Sequence, residues 1–387
     1  MAETTLGTSI RAGFAREDVV TAQTWPADQP AQVTNLWPIT NIQPGLGANK
    51  HGVMSVGGGV GLHAFDLVSL LPAATFPMQG TYEGLESFWA CALGYMAKRL
   101  QGTVMPEQLA PGVYRHLFEL DAVLSTAQAW DAAADGFVGG ELLAGQRRVR
   151  RGTLALDMGY GVWEWLSTMV QAFTFQLDAT GATLSVETLA HSLSHTSSVN
   201  TTASLRACPP VVAPRVLLSD LQWRLAPYSA TTPLSAGDAV TCLNWTLRLD
   251  NLLTAGPGPR TGLAPEEYER TAERHDAPYA AVTFVLPRRT SDLWVNRWGA
   301  NTRLMGMATC TSERFIAPGW PYRLTFYVPS AVILNAQPNM QGAQLPLETV
   351  QLACLVPPQA PAGFSASQHL NSLMVEVVSG RADHPLL

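Results

Sequence analysis

Alternation of apolar and polar residues with a period of two runs through most of this chain and restricts its fold more than any other feature. Leu154, Leu156, Met158 and Tyr160 interleave with Thr153, Ala155, Asp157 and Gly159. Phe173, Phe175 and Leu177 interleave with Thr174, Gln176 and Asp178. The same rhythm carries Leu221, Trp223 and Leu225, then Leu243, Trp245, Leu247 and Leu249, then Tyr322, Leu324, Phe326 and Val328. A further strand is expected over 114–120. Successive side chains of a strand point to opposite faces, so each segment predicts one buried and one wet face. Strands of that kind belong in antiparallel sheets, and the expected fold class is mainly β.

One segment breaks the rhythm. In GLESFWACALGYMAKRL, Leu85, Trp89, Ala92 and Met96 recur at helical spacing, and Phe88 and Tyr95 widen the apolar face. Thr81 is the expected N-cap, with Glu83 in the first turn. A face that broad needs a sheet to pack on. Residues 1–45 are polar, Pro-spotted and aperiodic, and predict an extended arm. Residues 53–71, with Gly57, Gly58, Gly59 and Gly61, predict a hairpin with a flexible tip. Residues 121–145 and 255–275 are expected to be long insertions.

An internal echo organises the rest. Phe173-Thr174-Phe175 is matched by Leu324-Thr325-Phe326, and Val186-Glu187-Thr188-Leu189 by Leu347-Glu348-Thr349-Val350. The helix near 81 has a weaker counterpart in SDLWVNRW, with Ser291 as its cap. Helix, strand, strand, strand thus occurs twice. At about 100–200 residues per domain, 387 residues accommodate two such units. The expected division is an arm at 1–45, a first domain at 46–205 and a second at 206–387, joined near 203–214.

Composition excludes more than it identifies. Charged residues make up 14% of the chain, against about 25% in an ordinary soluble domain. Extensive contact with other subunits is one way to cover such a surface. A net charge of −6 argues against a nucleic-acid binder with a basic footprint. No secretory leader and no run of about 18 apolar residues is expected. The five cysteines, Cys91, Cys208, Cys242, Cys310 and Cys354, are widely spaced and expected as reduced core thiols. The sequons at Asn200 and Asn244 matter only to a secreted protein.

No catalytic, cofactor or metal motif emerges, and no cofactor is expected. The glycines at 57–61 do not form a dinucleotide fingerprint, and G-V-M-S-V-G from Gly52 misses the hydrolase elbow. His191 and His195 share a face at i, i+4 but lack a third ligand, so a solvent-facing or interface pair is expected. Arg147, Arg148, Arg150 and Arg151 form a basic cluster, open to three readings: nucleic-acid contact, inter-subunit ion pairs or a solvated loop end. Trp165, Trp223 and Trp245 lie in strand patterns and are expected in the core.

Several segments in order resemble the two-domain tail tube proteins of long-tailed bacteriophages. They are YRHLFELD from Tyr114, RRGTLALDMG from Arg150, VQAFTFQLDATGATLSVETLAHSLSH from Val170, WTLRLDNLL from Trp245, LPLETVQLACL from Leu345 and SLMVEVVSG near the end. Together they span about 50–380. The resemblance implies two tandem β-sandwich or half-barrel domains, each with one flanking helix, and a structural, non-enzymatic virion protein. Subunits would join their inner sheets into a closed barrel, and rings would stack into a hollow tube that conducts DNA from capsid to host. Two domains per chain imply a trimeric ring with pseudo-sixfold symmetry. Implied partners are further copies of the chain, tail terminator, tail tip and tape-measure proteins, and viral DNA passing without specific binding. No membrane is implied, and assembly would occur in the bacterial cytoplasm. Asp157, Asp178 and Asp250 are the lumen-facing candidates, and the four arginines are inter-subunit candidates. The arm and the two insertions are candidates for ring-to-ring contact. The alternatives are a carbohydrate-binding or adhesin-like β protein, another virion or secretion-tube component, or a β-rich hydrolase whose site is assembled from distant residues.

Overall fold

The computed structural model describes residues 11–16, 30–40, 43–45, 49–54, 62–69, 73–93, 99–100, 103–104, 107–120, 128–131, 136–139, 152–158, 161–190, 192–195, 198–209, 213–251, 253–254, 273–274, 279–287, 293–339, 346–364 and 372–382. Among the described residues the chain is mainly β, with 17 strands in one large antiparallel sheet, four separate two-stranded pairs and three short helices.

The first part lays down β1 (Arg11–Arg16), β2 (Gln43–Gly45), the hairpin β3 (Asn49–Met54) and β4 (Leu62–Ser69), and β5 (Ala73–Gln79). Helix α1 (Glu86–Ala92) follows, then the small pair β6 (Arg99–Leu100) and β7 (Thr103–Val104), and the hairpin β8 (Glu107–Ala110) and β9 (Val113–Glu119). Next are the pair β10 (Gln128–Asp131) and β11 (Gly136–Gly139), then β12 (Gly152–Asp157), the long β13 (Val162–Asp178), β14 (Gly181–Leu189) and β15 (Ser192–Ser194). Helix α2 (Thr202–Ala207) leads into β16 (Leu221–Pro227), β17 (Ala239–Val240), β18 (Asn244–Asp250), and the small pair β19 (Leu253–Thr254) and β20 (Glu273–Arg274). The chain continues through β21 (Tyr279–Pro287), α3 (Leu293–Gly299), β22 (Leu304–Ala317), β23 (Trp320–Asn339), β24 (Leu347–Cys354) and β25 (Met374–Ser379).

One pairing pattern occurs twice, in the same chain order. In the first half β1 pairs β12, β12 pairs β13, β13 pairs β14 and β15, β14 pairs β5, and β5 pairs β2. In the second half β16 pairs β22, β22 pairs β23, β23 pairs β24 and β25, β24 pairs β21, and β21 pairs β18. Each half also packs a helix on its long strand: α1 on β13 and α3 on β23. Two connections fall outside the pattern and fuse the halves: β13 pairs β18, and β9 pairs β25.

A single core runs through both halves. Phe14 stacks on Trp37 at 5.0 Å, Trp37 meets Phe88 at 5.8 Å, and Trp89 meets Phe173 at 5.5 Å. Phe175 and Trp245 both contact Phe326, at 5.0 and 5.1 Å. Trp223 meets Phe284, which meets Trp294 of α3 at 5.6 Å. Tilted and edge-on geometries of this kind suit the ring quadrupoles. Trp165, Trp223 and Trp245 are buried, as their strand positions predict.

Several expectations are corrected. The segment read as an arm is part of the sheet at 11–16 and 43–45, and Phe14 and Trp37 are buried, because their apolar side chains find a place in the core. Helix α1 begins at Glu86 without a side-chain cap, and Thr81 instead donates its hydroxyl to the Glu83 carbonyl at 2.9 Å. Strand β12 is buried on both faces, not one. Its second face is covered from the sides by β1 and by 30–33 and 200–208, with Val33, Ala155, Val162 and Leu205 in one small cluster. The echoed residues do not superpose. Glu187 is exposed and Glu348 buried, so the two similar segments point opposite ways. Phe173-Thr174-Phe175 pairs with β14 and β18, whereas Leu324-Thr325-Phe326 pairs with β22 and β25. The repeat is one of elements and pairings. The insertion at 121–145 contains the β10–β11 hairpin.

Candidate functional site

The feature that could serve a function is the wet face of the sheet running β2–β5–β14–β13–β18–β21–β24–β23. Its opposite face feeds the core through Phe76, Val186, Phe175, Leu247, Phe284 and Val350. Alternation therefore sends a continuous polar layer outward. Across it, Thr75 lies opposite Glu187, Ser185 opposite Thr174, and Thr183 opposite Gln176. Beyond β13, Thr174 lies opposite Arg248 and Gln176 opposite Thr246, and Thr246 opposite Thr283. Gln351 continues the row from Thr283, with Asn335 on the far side.

Asp178 and Asp250 both belong to this face, one at the end of β13 and one at the end of β18. Asp178 accepts from the Thr180 hydroxyl and amide at 2.6 and 2.7 Å, and these bonds hold its carboxyl below the usual range. The fold adds Glu187 and Arg248, which strand pairing brings into the same layer. Three carboxylates stand against two guanidinium groups, Arg248 in the layer and Arg215 beside Gly181 and Asp178, so carboxylates are in slight excess. The pairing of β14 with β13 sets Glu187 level with Asp250 across Ala172, whereas Asp178 lies at the far end of β13.

Asp157 does not belong there. Its side chain is 2% exposed, pairs with Arg206 at 3.5 Å and accepts from Thr202 at 3.1 Å. The covering of β12 on both sides turns it into an internal anchor for α2. Arg11 reinforces that anchor by donating to the Arg206 carbonyl at 2.6 Å. Arg147, Arg148, Arg150, Arg151, His191, Ser291 and the glycines at 57–61 lie outside the described residues. His195 sits 6.5 Å from the Trp163 ring.

Among the described residues, no group of three or more His, Cys, Asp or Glu could hold a metal ion. The five cysteines are free thiols, four of them buried, and burial pushes Cys242 up to about 11. No described helix is long and apolar enough to cross a membrane. A surface depression at the β22–β23 tip is lined only by 315–319 and gathers no converging polar groups. No protein-family model matches the chain, and no curated protein matches it.

The edges of the sheet complete the site. Ala331 pairs Leu304 of β22 and Cys354 of β24, so those strands occupy opposite edges of β23. Past Ala331, β24 continues along one edge, and among the described residues no strand lies along the other. At the other end, β2 pairs β5 and no further described strand. Among the described residues the eight-strand run from β2 to β23 thus ends in two edges without a strand partner, and such edges in a lone chain invite pairing with another.

Proposed function

We propose that this chain is the subunit of a hollow tube, a tail-tube-like virion protein whose rings contain three copies and stack into a conduit for DNA. The observation that carries the reading is the repeated pairing pattern, fused edge to edge where β13 meets β18. That junction is a subunit-like contact already made inside one chain. Repeating it between chains continues the sheet, and closing the series pairs the two end strands of the β2-to-β23 run. Two units per chain make three chains the natural count for a pseudo-sixfold ring.

The wet face lines the bore in this arrangement. Its Thr, Ser, Gln and Asn side chains, with Asp178, Glu187 and Asp250, present hydroxyls, amides and carboxylates to passing phosphates. Repulsion lets a duplex slide where a basic surface would bind it through counterion release. The low charge content of the chain suits subunits that bury both lateral and axial surfaces. Tail terminator, tail tip and tape-measure proteins are the partners such a tube requires, and assembly in a bacterial cytoplasm is the corresponding setting. The carbohydrate-binding alternative needs exposed aromatic platforms; Trp165, Trp223 and Trp245 are buried and cannot supply them, which leaves Tyr279, Trp298, Phe315 and Trp320 as the exposed aromatic rings among the described residues.

Electron microscopy of the purified chain at high concentration tests the reading. Stacked annuli with a central hole are expected. A population of compact single particles at all concentrations would contradict it.

A further inference from the structure

We propose that the open edge of β23 at 332–339 pairs antiparallel with the open edge of β2 on a second copy of this chain. The inference rests on the tube reading for its biological sense, but its geometry comes from the repeat itself.

In the first half, β12 holds one edge of β13 through Thr168. From Ala172 to Leu177 the same edge is taken over by β18. The edges are assigned by register. Strands β14 and β15 run in continuous register along the opposite edge, Met169 facing Leu189 and Leu166 facing Ser192. Strand β12 lies across β13 from β15, and β18 lies across β13 from β14, so β12 and β18 share an edge.

In the second half β22 plays the part of β12, and its pairing ends at Ala331. The position that β18 fills on β13 is open on β23. What belongs there is the counterpart of β18. Strand β18 is the one that pairs β21, and in the first half the strand that pairs β5 is β2. Within one chain β2 lies at the far end of the sheet from β23. The partner is therefore the β2 of another copy, approached along 38–40 and 43–45, which already run beside β5.

The chemistry of the two edges agrees. Residues 332–339 and 43–45 contain no charged side chain, one of the devices that guard exposed edges, though each carries one proline, which is another. Leu334 is 44% exposed at an irregularity in the β23–β24 register, an apolar side chain that a neighbour would cover. Pro338 and Pro44 donate no amide, so the ladder uses the residues between and beside them. The contact joins unlike surfaces, so it propagates from copy to copy until the ring closes.

A crosslinking ladder tests this. The full chain carrying both Gln337→Cys and Gln43→Cys is treated with a short bis-maleimide under assembling conditions and run on a denaturing gel. The single variants serve as controls, and circular dichroism verifies their β content. The expected result is dimers and trimers in the double variant only, with the ladder stopping at three. A ladder extending past three supports the edge pairing and overturns the three-copy ring. Annuli seen by microscopy without any ladder overturn the edge pairing and leave the tube reading standing. A folded double variant that gives neither ladder nor assemblies overturns the pairing as well.

Discussion

Trp245 shows how the core works at the level of single residues. Its ring is fully buried against Phe175, Trp223 and Phe326 at 6.3, 6.0 and 5.1 Å. Among the described residues its indole Nε1 has no acceptor. Truncation to Ala is expected to cost about 3–5 kcal/mol through the cavity it leaves. Trp245→Phe keeps a ring and removes a buried donor whose lack of a partner costs about 1–3 kcal/mol, so its loss should be much smaller. Urea melts of the two variants check this, and equal midpoints would refute it. Nearby, Gly306 makes room for the core, since a Cβ there would lie 2.5 Å from Trp223 Cη2. Asp178 gives a pH prediction. Its folded carboxyl is held low, so its contribution is present above the ordinary value of 3.8 and is lost as pH falls through the lowered value. Asp178→Asn should therefore flatten the fall in melting temperature below about pH 4 relative to the parent chain. A parallel fall in both proteins would show that the Thr180 bonds do not matter.

Among the elements, β25 joins the halves, and Glu376 is its anchor. The carboxylate is 5% exposed, accepts from Arg323 at 2.9 Å and Tyr327 at 3.3 Å, and lies 3.9 Å from Arg115 of β9. Burial raises the Tyr327 phenol, with the Glu376 charge adding to the shift, so Tyr327 remains a donor. Glu376→Ala is expected to cost about 2 kcal/mol by removing charge-assisted bonds, with Glu376→Gln retaining part of it. Thermal melts compare the two, and a neutral Ala variant would contradict the assignment. Glu376 also shows where sequence reasoning stops. The strands around Phe173, Trp245 and Phe326 are legible because their alternation reflects one buried face. The helix at Trp89 is legible from its spacing. Strand β12 misleads because both faces are covered by segments distant in sequence. Residues 11–16 and 43–45 show no clear pattern because short strands carry too few positions to establish a period. Pairing partners, and hence the company that Glu187 keeps, depend on topology that local patterning does not encode. The repeat was visible as an order of elements, while the residue matches that suggested it lie in different registers.

For the molecule as a whole, the pairing pattern turns a duplicated chain into an incomplete sheet. Its core is shared, its polar layer is continuous across β13 and β18, and its two ends match each other as the internal junction matches. In the proposed tube such a sheet is completed by copies of the chain, and the number of copies per ring tests that proposal most directly. Native mass measurement of single annuli, coupled to rotational averaging of their end-on images, counts them. Three chains of 41.6 kDa per ring with six similar lobes are expected. Six chains per ring, or annuli without sixfold features, would contradict the proposal.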